Sequence, residues 1–320
     1  MSYRVGIDLG GTNIVAGVVD DDYNIISKAS CKTNVPRPET DVCDSMAAVV
    51  KEAVKKAKLK MDDIDYIGIG VPGAVNPETR IIETSPNLFF KNWEIAKMME
   101  ERLHKYTKVE NDANAAALGE FLAGSAKGTK NAIAITLGTG VGGGIVFDGK
   151  MWEGMNGFAA EMGHMVIDPQ GRACPCGKRG CVETYCSATA LIKETKRMMK
   201  LYPESKMWED VGGDIERASG KTAFRAAERG DAAAKLVLGD FIGYLALAVA
   251  NIINVFQPDV VCIGGGISRE GENLLAPLRD IVLHNSFGTE TSRTKVVAAT
   301  FRNDAGIIGA AVLGLQDNKI

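Results

Sequence analysis

Tyr3-Arg4-Val5-Gly6-Ile7-Asp8-Leu9-Gly10-Gly11-Thr12-Asn13-Ile14-Val15-Ala16-Gly17-Val18-Val19 is the stretch from which the rest of the chain is read. Its β-rich runs, Tyr3–Leu9 and Ile14–Val19, are joined by Gly10-Gly11-Thr12-Asn13, the sign of a hairpin. The layout returns downstream, with a strand over Asn131–Leu137, a turn at Gly138-Thr139-Gly140 and a second strand over Gly142–Phe147. An offset of 128 residues lays Ile7, Leu9 and Gly10 on Ile135, Leu137 and Gly138. Few residues are shared, yet the order strand, glycine turn, strand is kept. It implies two similar α/β halves.

Each turn carries chemistry. Asp8-Leu9-Gly10-Gly11-Thr12 sets a carboxylate at a strand end and unhindered backbone N–H groups in the turn. Such amides form a nest for phosphate oxygens, and Thr12 adds a hydroxyl donor. Asp8 is placed to hold Mg²⁺, because hard cations take carboxylate oxygens. Thr136-Leu137-Gly138-Thr139-Gly140 offers a second nest. Gly138, Gly140 and Gly143 also satisfy a dinucleotide-binding spacing, but that fingerprint needs a helix next and Ile145-Val146-Phe147 reads as a strand. Gly144, Gly149 and Lys150 begin a P-loop spacing that Met151 breaks. Gly264-Gly265-Gly266, after a buried strand at Asp259–Ile263, reads equally as a close approach for adenine or ribose and as a tight turn.

Composition bounds the partners. The 320 residues suffice for two lobes of about 100–200 residues each. A net charge of −3 leaves no electrostatic footprint for nucleic acid. The densest basic run, Lys51, Lys55, Lys56, Lys58 and Lys60, reads as a solvated helix face, and Asp41–Lys58 reads as a helix with a Lys-rich outer side. The uncharged run Phe241–Phe256 is shorter than the roughly 20 residues of a membrane span and reads as part of a buried helix over Ala232–Phe256. Cys31, Cys43, Cys186 and Cys262 show no disulfide spacing, so reduced thiols and a cytoplasmic location are expected. No signal peptide is expected ahead of the first strand.

The other three cysteines form a metal loop. His164, Cys174, Cys176 and Cys181 fall within eighteen positions, separated by Gly and Pro turns. Three thiolates and an imidazole suit tetrahedral Zn²⁺, and four protein ligands make the ion structural. Glu161 and Glu183 flank this loop, and carboxylates suit the vicinal hydroxyls of a sugar. His164 could ligate through one ring nitrogen and present the other to a hydroxyl. Asn87, after Ser85-Pro86, could supply a further hydroxyl contact. Asn111 and Asp112 stand where a short strand meets an Ala-rich helix. Either could cap that helix; Asp112 could instead take the proton of an attacking hydroxyl.

Taken together, Asp8-Leu9-Gly10-Gly11-Thr12, Gly70-Val71-Pro72-Gly73, Glu110-Asn111-Asp112-Ala113-Asn114, Leu137–Gly144, Glu161-Met162-Gly163-His164 and the Cys174–Glu183 run resemble the ROK family of repressors and sugar kinases. The resemblance implies the two-lobed α/β fold of actin-like ATPases, ribonuclease H-like in each lobe, with a zinc-binding loop. It places residues 1–123 and the C-terminal helix, about 305–320, in one lobe and 124–304 in the other. It implies transfer of a phosphoryl group from MgATP to the 6-hydroxyl of a hexose held in the cleft, with Asp112 as base. Gly73, Asn87, Asn111, Asp112, Glu161, His164 and Glu183 would hold the sugar. Asp8, Gly10, Gly11, Thr12, Gly138, Thr139, Gly140, Gly265 and Gly266 would hold the nucleotide. Ser85-Pro86-Asn87-Leu88, Asn92-Trp93 and Glu183-Thr184 resemble the glucokinase branch most, while Phe89-Phe90 stands where relatives often carry Gly-Trp. Mannose, fructose, allose and N-acetylmannosamine stay open as substrates, and polyphosphate as donor. A non-catalytic sugar sensor is the other class of reading, and Asp112 argues against it. Family analogy suggests a homodimer or homotetramer without nucleic-acid or membrane partners. The stretch Tyr202–Gly220 reads as an insertion with no assigned role.

Overall fold

A computed structural model of the chain describes residues 2–288, 293–301 and 304–316. It divides into two compact units, Met1–Ala134 with Gly144–Ala160 and Asn303–Ile320, and Ile135–Gly143 with Glu161–Arg302. The first third of the chain forms β1 (Tyr3–Leu9), β2 (Asn13–Val19), β3 (Ile25–Lys32), α1 (Glu39–Lys56), β4 (Ile64–Val71), β5 (Ala74–Val75), β6 (Ile82–Ser85), β7 (Phe90–Trp93), α2 (Ile95–Leu103), β8 (Thr107–Asn111) and α3 (Asp112–Leu122). A sheet of order β3-β2-β1-β4-β8 results, antiparallel in its hairpins and parallel from β1 through β4 to β8. Helix α1 buries Val42, Met46, Val49 and Val50 and leaves Lys51, Lys55 and Lys56 exposed, as its spacing predicts. Each such apolar side chain removed from water contributes about 1.5–3 kcal/mol.

The small sheet β5-β6-β7 does not show in the sequence pattern, because strands of two to four residues carry too little alternation. Trp93 ends β7, fully buried with its ring 4.5 Å from Phe90, and α2 begins at Ile95.

Next come β9 (Ala132–Leu137), β10 (Val141–Phe147), β11 (Lys150–Met151), α4 (Glu183–Cys186), α5 (Ala188–Leu201), α6 (Met207–Asp210), α7 (Thr222–Glu228), α8 (Ala232–Phe256), β12 (Val260–Gly265), α9 (Glu272–Asn285), β13 (Lys295–Ala298) and α10 (Ala305–Ala311). The second sheet runs β11-β10-β9-β12-β13. Two five-stranded sheets, one opened by the Gly10-Gly11 hairpin and the other containing the Gly138–Gly140 hairpin, bear out the α/β fold class. Helix α8 is long and apolar enough to cross a membrane, yet its apolar stretch is mostly packed inside the protein. Asp231 caps it through the Ala234 amide at 2.7 Å. The Tyr202–Gly220 stretch is folded and anchored on the protein: Met207 is buried and the Trp208 indole donates to the Met199 carbonyl at 2.9 Å.

Helix α10 ends at Ala311, well short of the expected helix of about 305–320. The Tyr66 hydroxyl takes the Ala311 carbonyl at 2.6 Å, and Leu315 N–H turns to Val312 O at 3.0 Å, so a tighter turn over Leu313–Gln316 replaces the last helical turn. Residues 317–320 of the expected C-terminal helix lie outside the described residues. The helix packs backbone to backbone on the first sheet: a Cβ on Gly6 would overlap the Ile307 carbonyl, and one on Gly68 that of Ala310.

Candidate active site and metal centre

Parallel pairing sets the acidic centre. Asp8 on β1 lies opposite Gly70 on β4, and Gly70 opposite Glu110 on β8. A Cβ on Gly70 would stand 3.5 Å from the Asp112 Cα, so the start of α3 comes close to the Asp8 strand. Both carboxylates sit at carboxyl ends of parallel strands, where α/β sheets bind ligands. Burial, then the charge of Asp112, pushes the Asp8 carboxyl up to about 6. Burial also raises Asp112, although its own amide and that of Ala113 oppose the rise. Neither forms an ion pair among the described residues. Two neighbouring uncompensated carboxylates are a donor set that fits a hard cation.

Asn111, not Asp112, is the cap of α3. Its Oδ1 accepts the amides of Ala113 at 2.9 Å and Asn114 at 3.2 Å, while its Nδ2 donates to the Gly73 carbonyl at 3.0 Å. Gly73 itself has φ +145° and no room for a Cβ against the Thr84 carbonyl. Glu110, beneath them, accepts the Asn111 amide at 2.8 Å and the Asn114 side chain at 3.0 Å. Burial holds its carboxyl well above the ordinary range, and the neighbouring Glu153 adds to the rise.

The first glycine turn closes on itself, with Gly10 N–H donating to Asn13 O at 2.9 Å. That amide is therefore spent, and Gly11 and Thr12 carry the exposed part of the turn. Buried Thr33 braces it from β3's end: its Oγ1 donates to Gly10 O at 2.6 Å and its amide to Thr12 O at 3.0 Å. Asn87 is exposed on the β6–β7 connection, its carbonyl 3.3 Å from where a Cβ on Gly11 would stand. The Ser85 hydroxyl anchors that connection on Pro72 O. Phe89 beside it is exposed, with φ +65°.

The second turn is held differently. Gly138 N–H donates to Gly140 O at 3.0 Å, and the supports come from the segment after the metal loop. Glu183 Oε2 accepts the Val141 amide at 2.9 Å and lies where a Cβ on Gly140 would be. Ala188 N–H donates to Gly138 O at 2.8 Å, and the Thr189 hydroxyl to Thr139 O at 2.8 Å. Gly265, at φ +84°, turns hard against the Leu137 backbone, so close packing accounts for it; Gly266 faces open space. Sequence reasoning missed the braces Thr33 and Thr189, since nothing local marks a hydroxyl whose partner is 23 or 50 residues away.

The metal loop gathers its four expected ligands. Ligand atoms of His164, Cys174, Cys176 and Cys181 all lie within 4.8 Å of one another. Cys176 Sγ is 3.6 Å from Cys181 Sγ, and Cys174 Sγ 3.8 Å from His164 Nδ1. Zn–S bonds of about 2.3 Å give a tetrahedral edge of about 3.8 Å, so the set fits zinc. Backbone pairing of Val166 with Cys181 and of Ala173 with Arg179 shapes the loop, and Lys178 Nζ donates to His164 O at 3.0 Å. Glu161, exposed, opens the turn that carries His164.

Known proteins resemble this chain over nearly its full length. A glucokinase of Thermotoga maritima is 39% identical over 310 residues, covering 96% of this chain and 95% of that protein. A crystal structure of a ROK family glucokinase from Streptomyces griseus, in complex with glucose and AMPPNP, superposes with a TM-score of 0.86 at 34% identity, covering 98% and 99% of the two chains. A xylose repressor of Caldicellulosiruptor bescii is more distant, at 29% identity over 98% of this chain and 78% of the repressor. The family profile matches residues 4–317, and the chain belongs to the ROK family.

Proposed function

We propose that the chain is a sugar kinase that transfers the γ-phosphoryl of ATP to the 6-hydroxyl of a hexose, glucose first among them. The observation that carries this reading is Asp112: a carboxylate raised by burial, fixed at the head of α3 next to Asp8. The hexose hydroxyl loses its proton to Asp112 as its oxygen attacks phosphorus, and the P–O bond to ADP breaks in line. Little covalent work falls to the protein, so positioning and charge stabilisation carry the rate. Gly73, Asn87, Asn111, Glu161, His164 and Glu183 are assigned to the sugar. Asp8 is assigned to Mg²⁺, which when bound neutralises phosphate charge. The amides of Gly11, Thr12, Thr139 and Gly140 are assigned to the phosphates, with Gly266 nearer the nucleoside. Zinc on His164, Cys174, Cys176 and Cys181 is structural and keeps the sugar-binding loop in shape. Both named glucokinases above support glucose as the acceptor.

A coupled ADP-release assay over a panel of hexoses tests the reading. Glucose-dependent ADP release is expected, and Asp112→Ala should lower kcat on the order of a thousandfold with a much smaller change in glucose affinity. If no hexose releases ADP, the proposal fails.

A further inference from the structure

Both ends of the metal loop close on one residue of β10. Gly163, next to the ligand His164, lies so near the Val141 carbonyl that a Cβ would overlap it. Glu183, two residues past the ligand Cys181, accepts the amide of the same Val141. Val141 directly follows Gly140, and Ala188 and Thr189 hold the carbonyls of Gly138 and Thr139. Residues flanking the metal ligands thus clamp the glycine turn on both sides of its exit. A metal on His164 and the three cysteines cross-links the two jaws of that clamp.

We infer that the metal loop sets the geometry of the Gly138–Gly140 turn and thereby the affinity for the phosphoryl donor, with Glu183 and Thr189 as positioning residues. The inference rests on reading that turn as a phosphate nest. A nest binds well only if its amides are already aligned, because ordering a loose turn on binding subtracts from affinity. Without the cross-link, Gly163 and Glu183 lose their common anchor, and Val141 is free to shift. A metal that ordered only sugar-binding side chains would leave the donor unaffected.

Calorimetric titration with Mg²⁺·AMPPNP, and separately with glucose, separates the two roles. The proteins are the zinc-loaded chain, the same chain stripped with a chelator, and zinc-loaded Thr189→Val and Glu183→Ala. Stripping should weaken AMPPNP about tenfold, Glu183→Ala about tenfold and Thr189→Val about threefold. Glu183→Ala should weaken glucose as well, whereas Thr189→Val, exposed and remote from the ligands, should leave glucose affinity unchanged. Circular dichroism checks that the stripped chain stays folded; if it unfolds, the two variants carry the test. Unchanged AMPPNP affinity in both variants overturns the inference alone. Absence of AMPPNP binding to the intact zinc protein overturns the nest reading, and the inference with it.

Discussion

The two glycine turns start from the same layout and are finished by different means. At the first, the carboxylate is built into the strand as Asp8, and the brace is Thr33, which directly follows β3 of the same sheet. At the second, Thr136 stands where the offset would put Asp8, and the carboxylate is Glu183, brought in from beyond the metal loop. The first turn is thus complete within one run of about thirty residues. The second takes its supports from a segment more than forty residues downstream. One hairpin is self-sufficient; its twin is conditional.

Of the changes that probe this comparison, Asp8→Asn should produce the largest effect, because it removes what the first turn alone possesses. Turnover should fall on the order of a hundredfold through loss of the cation ligand. Stability should move the other way. A carboxyl raised from 3.8 to about 6 stabilises the fold fully below pH 3.8, and the gain is lost as the pH rises through about 6. Above that point the ionised Asp8 costs at most about 3 kcal/mol. Melting curves should therefore show Asp8→Asn a few degrees more stable at pH 8, with the gap closing towards pH 4. A gap that does not depend on pH would contradict the buried charge pair.

Gly140→Ala comes next. Its Cβ would overlap Glu183 Oε2, whereas a Cβ on Gly10 would stand 3.3 Å from the Asn13 carbonyl, a tight but relievable contact. AMPPNP affinity should fall about thirtyfold for Gly140→Ala and about threefold for Gly10→Ala; equal losses would mean that the second turn is as independent as the first. The smallest effect belongs to Thr33→Val, which removes one hydroxyl bond to Gly10. It should weaken AMPPNP about threefold, by the same factor with and without zinc. A zinc-dependent factor would erase the distinction between the turns.

Local chemistry was legible in the sequence and distant chemistry was not. Glycines between β-rich runs announced both hairpins, and the His-Cys spacing announced the metal loop, because each signal lies within some twenty residues. Asn111 and Asp112 were recognisable as a pair, but which one caps α3 depends on Gly73, on a separate element. Glu183 read as a sugar ligand; its bond to Val141 crosses a loop whose path no spacing rule gives. The early end of α10 is decided by Tyr66, 245 residues away. Periodicity records which face of an element is buried, and it is silent about which atom arrives from elsewhere to meet it.

Helix α10 has a consequence for how the molecule is made. It lies on Gly6 and Gly68, yet it is translated some 240 residues after β4. At about 5–20 residues per second, β4 leaves the ribosome and waits about 12–48 seconds for its cover, and β1 waits longer still. Meanwhile the whole Glu161–Arg302 segment emerges and can collapse on its own core. The nascent chain therefore carries a half-clad β-sheet through most of its synthesis, a surface suited to chaperones, and it closes the earliest strands with one of its last helices.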